Sequence, residues 1–169
     1  MTIPLPIETE RLRIRTFDPD DLEEMSGIYG DPEVMQHICL GVLDRERTAV
    51  LLEGYRSAQD EQGFSTWAVV EKETGSVVGD AGFGLYAPTG EPELGYTFAA
   101  SVWGRGYAFE AANACIGAAF AHLPHRRLVA KIEPGNERSL RLARRLGLQP
   151  VETVDVDGHP HLLLALERP

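Results

Sequence analysis

Val102-Trp103-Gly104-Arg105-Gly106-Tyr107-Ala108 joins a strand-like segment to a long alanine-rich helical pattern. Glycines at alternate positions admit backbone angles that a side chain forbids, so successive N–H groups of such a loop can converge on one anion. The dipole of the helix that follows adds positive potential at the same point. The stretch therefore predicts a phosphate-binding loop and a phosphorylated cofactor.

Two common nucleotide-binding motifs do not fit this loop. The dinucleotide motif Gly-x-Gly-x-x-Gly requires a third glycine where Phe109 stands. The P-loop requires Gly-Lys-Ser/Thr, which the loop lacks. The loop instead resembles the pattern Gln/Arg-x-x-Gly-x-Gly/Ala of the GNAT superfamily of acyl-CoA-dependent N-acetyltransferases, with Trp103 in the first position. Trp-Gly-Arg-Gly-Tyr-Ala resembles its RimJ/RimL-type branch in particular.

The resemblance covers nearly the whole chain. The block Glu93-Leu94-Gly95-Tyr96 precedes the loop, and two further blocks follow it at the family's spacing, Asn136-Glu137-Arg138-Ser139 and Arg145-Leu146-Gly147-Leu148. Three blocks in this order are far more specific than one Gly-x-Gly. The resemblance implies an acetyl-CoA-dependent enzyme.

Length and composition predict one domain over residues 1–169, because 43% hydrophobic residues in 169 suffice for a single substantial core. The N-terminus has no basic segment followed by an apolar run, and no stretch approaches the roughly 20 apolar residues of a membrane helix. We therefore expect a soluble, cytoplasmic protein without a membrane partner. Cys39 and Cys115 form no metal-type pair and are predicted to be reduced packing residues.

The net charge of −10 and the pI near 4.9 argue against nucleic acid as a partner, since its phosphates require a basic surface. An acidic protein suits a cationic acceptor, although many enzymes are acidic merely for solubility. Metal binding is not expected, because His159 and His161 have no carboxylate or cysteine partner in the sequence pattern.

Periodicity and cap residues predict a mixed α/β chain without repeats. Asp18-Pro19 is typical of a helix start, and Asn136 can cap a helix that ends near Gly147. Small residues of the helix after the loop recur at helical spacing, which lets that helix lie close to a sheet. The predicted strands are 11–15, 66–71, 76–86, 93–98, 128–133, 151–156 and 161–166, with helices over 18–30, 44–62, the segment after the loop and 136–147.

The resemblance implies a GNAT-like fold, a twisted and mostly antiparallel sheet of about seven strands whose fourth and fifth strands splay apart to admit the cofactor. Thr97 and Phe98 would then give backbone contacts to the pantetheine arm. Arg105 could also reach a phosphate with its side chain or remain solvated, and Asn136 could fix the arm or serve only as a cap. The residues expected around the pyrophosphate are Gly104, Arg105, Gly106, Tyr107, Ala108 and Phe109.

Amine acetylation needs a proton acceptor, donors that polarise the thioester carbonyl and a proton for the departing thiolate. By resemblance, Glu93 is the candidate acceptor, or else a solvent-facing strand charge, and a backbone N–H near Phe98 would polarise the carbonyl. Many members place a tyrosine acid where this chain has Ala143. Ser139 is the candidate that orients the thiolate, or else a first-turn residue bonded to backbone.

The sequence thus predicts an N-acetyltransferase that works by direct attack of a primary amine on acetyl-CoA. The acceptor, a protein N-terminal α-amine or a small-molecule amine, stays open. The missing tyrosine leaves a second hypothesis, a catalytically degenerate acyl-CoA-binding sensor or interaction module. The resemblance makes a homodimer one expected state, although no segment identifies an interface.

Overall fold

An eight-stranded mixed sheet forms the centre of the protein, which a computed structural model describes over all 169 residues. The strands are β1 (Ile7–Glu8), β2 (Leu12–Arg15), β3 (Thr66–Glu71), β4 (Val77–Tyr86), β5 (Glu91–Phe98), β6 (Arg127–Ile132), β7 (Gln149–Val156) and β8 (His159–Glu167). Their spatial order is β1-β2-β3-β4-β5-β6-β8-β7, and every neighbouring pair is antiparallel except β5 and β6. The mostly antiparallel mixed sheet expected from the sequence is confirmed.

Five α-helices accompany the sheet, and none combines the length and apolar character needed to cross a membrane. They are α1 (Leu22–Tyr29), α2 (Pro32–Met35), α3 (Arg45–Gln62), α4 (Tyr107–His122) and α5 (Glu137–Arg145). Asp44 and Asn136 accept N–H groups in the first turns of α3 and α5, which accounts for where these two helices begin.

The short elements differ from the sequence expectation. The two-residue strand β1 pairs with β2 at the sheet edge and raises the strand number from about seven to eight. The segment after Asp18 begins as a single 3₁₀ turn over Pro19–Asp21, and only then continues as α1. Helix α2 was not predicted, because its four residues are too few to show a periodic pattern.

Helices cover both faces of the sheet, as the burial of β3 shows. Trp67 and Val69 join the core cluster that includes α4, whereas Ala68 and Val70 join the cluster that includes α1. Successive side chains of a strand point to opposite faces, so a strand covered on both sides is apolar throughout. The small-residue face of α4 is confirmed, since Ala112, Cys115 and Ala119 are fully buried against the sheet. Cys39, in contrast, is exposed, so its prediction as a packing residue was wrong.

Asp80 is a buried carboxyl in the middle of β4. It lies opposite Thr97 of β5 and accepts a 2.6 Å hydrogen bond from the hydroxyl of Tyr29 at the end of α1. Burial raises the pKa of Asp80 from its ordinary 3.8 to about 7, and the hydrogen bonds from Tyr29 and Thr97 offset only part of this effect. The side chain ties α1 to the strand pair that leads to the site described below.

Replacing Asp80 with asparagine is expected to make the free energy of unfolding less dependent on pH. At low pH the Asp80 carboxyl is protonated in both the folded and the unfolded protein, so its raised folded-state pKa has no effect on stability. As pH rises towards 7, the carboxyl ionises in the unfolded protein but stays protonated in the folded one, and this difference progressively destabilises the fold. The gain of Asp80→Asn over wild type should therefore grow by about 3 kcal/mol between pH 5 and pH 8, at about 1.4 kcal/mol per pKa unit. Urea unfolding at both pH values measures it, with the exposed Asp60→Asn as control. Equal gains at both pH values would contradict this expectation.

Candidate active site

The sheet opens between its two parallel strands. Glu93 of β5 and Val129 of β6 form the one registered pair, and the strands part beyond it. Three cavities follow this opening. The gap cavity, of about 300 Å³, lies between β5 and β6. The central cavity, of about 440 Å³, lies between the end of β5, α2 and α5, and the loop cavity, of about 480 Å³, lies beside the glycine loop. The fourth and fifth predicted strands correspond to β5 and β6. The cavities thus meet where these two strands separate, which is where the splay was expected.

The glycine loop leaves the first N–H groups of α4 without acceptors. Gly104 and Gly106 adopt φ values of 77° and 81°, the left-handed region that favours glycine. The first helical hydrogen bond runs from the N–H of Glu110 to the carbonyl of Gly106, and no side chain caps the helix. The N–H groups of residues 107–109 therefore have no helical partner, which is the arrangement that binds anions at helix N-termini. Gly104, Gly106, Tyr107, Ala108 and Phe109 all line the loop cavity.

The side chain of Arg105 points away from the loop cavity and towards the end of β3. Its guanidinium lies 3.0 Å from Glu71 at the end of β3, and the hydroxyl of Tyr107 donates to the same carboxylate. Arg11 donates to the carbonyl of Arg105 at 2.8 Å and to Glu110 at 2.7 Å. These contacts hold the loop against the end of β3 and against the residue that precedes β2. The side chain of Arg105 thus stabilises the loop conformation. Its neighbours Gly104 and Gly106 line the loop cavity, and Arg105 does not.

Three arginines of α5 line the loop cavity, and no carboxylate does. Arg138, Arg141 and Arg145 are spaced three and four residues apart, which places them on one face of the helix. The guanidinium of Arg138 lies 3.6 Å from the ring centre of Trp103, and that of Arg145 lies 4.6 Å from the ring centre of Phe109. Such stacking holds both cations at the cavity wall. This arginine face was not predicted from the sequence, although the spacing of its residues on a capped helix is a usable signal.

Two hydroxyl groups meet in the central cavity. The oxygen of Tyr96 lies 2.7 Å from the Oγ of Ser139, and both residues also line the gap cavity. Asn136 accepts the N–H of Ser139 at 3.2 Å, so its predicted role as a cap is confirmed. Burial raises the pKa of Tyr96, and the hydrogen bond between Tyr96 and Ser139 opposes the rise. The phenol therefore stays protonated at neutral pH.

The end of β5 presents backbone groups to the opening. Ala99 donates its N–H to the carbonyl of Val78 in β4, so the alternating ladder turns the N–H and carbonyl of Phe98 away from β4. The indole of Trp103 donates to that Phe98 carbonyl at 2.9 Å. Thr97, Phe98 and Trp103 line the central cavity.

Glu93 lies in the gap cavity beside a lysine. Its carboxylate is 3.5 Å from Lys131 of β6, and both side chains are about one quarter exposed. Burial raises the pKa of Glu93, and Lys131 limits the rise. Glu93, Ser139 and Asn136 are thus brought to one cavity from two distant parts of the chain.

The gap cavity also holds two histidine contacts that the sequence did not predict. His37 lies 2.6 Å from Glu133, and His161 lies 3.4 Å from Cys39. Each partner is more than 90 residues away along the chain, so local pattern offered no signal. No group of three or more His, Cys, Asp or Glu side chains is arranged to hold a metal ion.

Known proteins resemble this chain over most of its length. Residues 11–149 match the family model described as the acetyltransferase (GNAT) domain. YkkB of Bacillus subtilis is 31% identical over 157 residues, which cover 91% of each chain.

Solved structures share the fold as well. An acetyltransferase of the GNAT family from Bacillus anthracis aligns with a TM-score of 0.85 and 25% identity over 96% of this chain and 98% of its own. RimL, a ribosomal L7/L12 α-N-protein acetyltransferase solved with coenzyme A, aligns with a TM-score of 0.80 over 99% and 98%, and at 17% identity it shows the fold alone. On the family match and the relatives together, this chain belongs to the GNAT family of acetyltransferases.

Proposed function

We propose that the protein transfers the acetyl group of acetyl-CoA to a primary amine by direct attack. The observation that carries this proposal is the separation of charge along the three cavities. The loop cavity is lined by three arginines and no carboxylate, whereas the gap cavity is lined by Glu93 and Glu133 together with one cation, Lys131. The hydroxyl pair of Ser139 and Tyr96 lies between them. An anionic ligand and an amine would thus approach one point from opposite ends.

Acetyl-CoA fits the basic end, where it would supply an activated acetyl thioester. The unpartnered N–H groups of residues 107–109 suit its pyrophosphate, and the arginines of α5 suit its phosphates. The N–H and carbonyl of Phe98 would contact the pantetheine amides, with Asn136 on the opposite wall. The backbone groups of Thr97 instead face Asp80 in the ladder with β4, so the contact expected from the backbone of Thr97 is not available. RimL, which shares the fold, was solved with coenzyme A, and this supports the assignment.

The residues around the junction suit the proton transfers of the reaction. Glu93 would attract the ammonium form of the acceptor and take its first proton, directly or through water. Ser139 would orient the departing thiolate, and the phenol of Tyr96 would supply a proton through the pair. Position 143 has no hydroxyl, and Tyr96 brings one from β5 instead. A hydroxyl donor beside Ser139 supports the enzyme over the catalytically degenerate sensor.

The acceptor is a primary amine, with a protein N-terminal α-amine and a small-molecule amine both consistent with the gap cavity. A thiol-release assay with acetyl-CoA and a panel of peptide N-termini and small amines, beside calorimetric titration of acetyl-CoA, tests the function. Turnover with one acceptor class would name the substrate. An absence of acetyl-CoA binding would refute the proposal.

Glu93→Gln is expected to lower kcat/KM for the amine by about 10- to 100-fold, because it removes the proton acceptor and the charge that attracts the ammonium. The Kd of acetyl-CoA should not change. Since burial raises the pKa of Glu93, wild-type activity should fall on the acid side at a higher pH than an ordinary glutamate would give. The exposed Glu73→Gln is the matched control. Wild-type kcat/KM in Glu93→Gln would exclude this role.

A further inference from the structure

His37 and Glu133 form a hydrogen-bonded pair at the boundary between the central and gap cavities. The Nδ1 of His37 lies 2.6 Å from a carboxylate oxygen of Glu133. His37 lines both cavities, and Glu133 lines the gap cavity. The side chains are 30% and 38% exposed, so each reaches the cavities and solvent.

The fold fixes both ends of this pair. Glu133 follows β6, beyond the registered pair of Glu93 and Val129, where the two strands have parted. Its carbonyl accepts the N–H of Asn136 at 2.9 Å, which ties it to the start of α5. His37 comes two residues after Met35, the buried residue that ends α2. The pair thus joins the loop after α2 to β6 across the opening.

The carboxylate determines which imidazole nitrogen is free. A carboxylate accepts hydrogen bonds, so its partner Nδ1 carries the proton and Nε2 keeps its lone pair. A carboxylate that orients an imidazole in this way also stabilises the imidazolium that forms when Nε2 takes a proton. His37 therefore has the arrangement of a general base.

We propose that His37, oriented by Glu133, accepts the second proton lost by the acceptor nitrogen during acetyl transfer. This inference rests on the proposed function. An ammonium loses one proton to become a nucleophile, and its nitrogen then forms a bond to the thioester carbon. The nitrogen is positively charged again and loses a second proton to Nε2 of His37. The carbon–sulfur bond breaks, and the thiolate takes a proton from the Ser139–Tyr96 pair, which regains one from solvent.

The positions of the two acceptors match these two steps. Glu93 lines only the gap cavity, where the ammonium would arrive. His37 also lines the central cavity, which contains Phe98 and Ser139 and is where the thioester would lie. The proton on His37 then leaves to solvent through its exposed edge.

A test of His37 by pH dependence requires that the proteins compared share all the other titratable groups of the two cavities. The charged and titratable side chains that line these two cavities with His37 are Glu33, Cys39, Glu93, Tyr96, Lys131, Glu133, Glu137, Arg138, Arg141 and His161. All of them remain in a variant of His37. A difference between the pH profiles of wild type and that variant therefore reports on His37.

The test is His37→Gln, whose amide can still donate to Glu133 but cannot take up a proton. General-base catalysis contributes about 10²- to 10⁴-fold, so kcat should fall by about 100-fold or more. KM for the amine and the calorimetric Kd of acetyl-CoA should not change. The acid limb of the kcat profile should be altered, and added imidazole should restore turnover to His37→Ala. Glu133→Gln should lower kcat less, and the exposed His122→Gln should match wild type.

A second measurement needs no acceptor. Nitrogen-15 NMR of the histidine side chains should show His37 with its proton on Nδ1 in wild type, and a mixture of tautomers in Glu133→Gln. A proton on Nε2 in wild type would overturn the proposal. So would wild-type kcat in His37→Gln, or a reduced kcat that imidazole does not rescue in His37→Ala. Failure of wild type itself to bind acetyl-CoA or release thiol would be seen before any variant is made, and would overturn the proposed function together with this inference.

Discussion

Valine in place of Gly106 is expected to abolish measurable acetyl-CoA binding while the protein stays folded. Gly106 has φ of 81° and precedes the first turn of α4, so its conformation aims the free N–H groups of residues 107–109 at the loop cavity. A β-branched residue does not adopt this φ without strain of about 1–3 kcal/mol. Its Cβ would also contact the Arg11 guanidinium at 3.4 Å. The loop would shift, and the N–H groups would no longer converge.

Calorimetric titration measures this effect, and we expect the Kd of acetyl-CoA to rise by at least about 100-fold, the equivalent of losing two or more charge-assisted hydrogen bonds. Gly75→Val is a matched control. Gly75 has φ of 75°, nothing lies near its added Cβ, and it stands in the turn between β3 and β4. It should carry similar strain without loss of binding. Unchanged affinity in Gly106→Val would refute the phosphate cradle.

Local features of the site could be predicted from the sequence because each depends on only a few adjacent residues. Gly104 and Gly106 mark positive φ, and Asn136 marks the start of α5. The strands β3 and β5 are bounded by turn residues that give their ends within two positions. The order of the family's blocks then implied which strands part. These inferences need no knowledge of distant contacts.

The contacts across the opening could not be predicted in the same way. Tyr96 meets Ser139 over 43 residues, and His37 meets Glu133 over 96. Both contacts form because β5 and β6 separate, and local sequence patterns do not determine the distance between these two strands. The direction of Arg105 shows the same limit. Glu71 and Tyr107 capture its guanidinium, and neither partner is implied by a glycine loop that precedes a helix.

Removing either hydroxyl of the Ser139–Tyr96 pair is expected to lower kcat by about 10- to 100-fold without changing the Kd of acetyl-CoA. Negative charge develops on the sulfur as the carbon–sulfur bond breaks, and a hydrogen bond or a proton delivered to the sulfur lowers the barrier of this step. Tyr96 is protonated at neutral pH, and its 2.7 Å contact with Ser139 would let its proton pass to Ser139 or to a thiolate bound beside the pair. Ser139→Ala and Tyr96→Phe each remove one hydroxyl and leave the rest of the side chain. The exposed Ser57→Ala on α3 is the control.

The double variant decides whether the two hydroxyls act as one unit. If they do, Ser139→Ala with Tyr96→Phe should be little slower than the worse single variant, because the second substitution breaks a pair that no longer exists. Acetyl thioesters of more acidic thiols should narrow the gap between wild type and variants, since their leaving group needs less help. The opposite result would be that the fold-losses in kcat of the two single variants multiply in the double variant and do not depend on the acidity of the thiol. The two side chains would then have separate, structural roles. In that case the proton for the thiolate must come from water, and the opening between β5 and β6 would serve to position the reactants rather than to move a proton to sulfur.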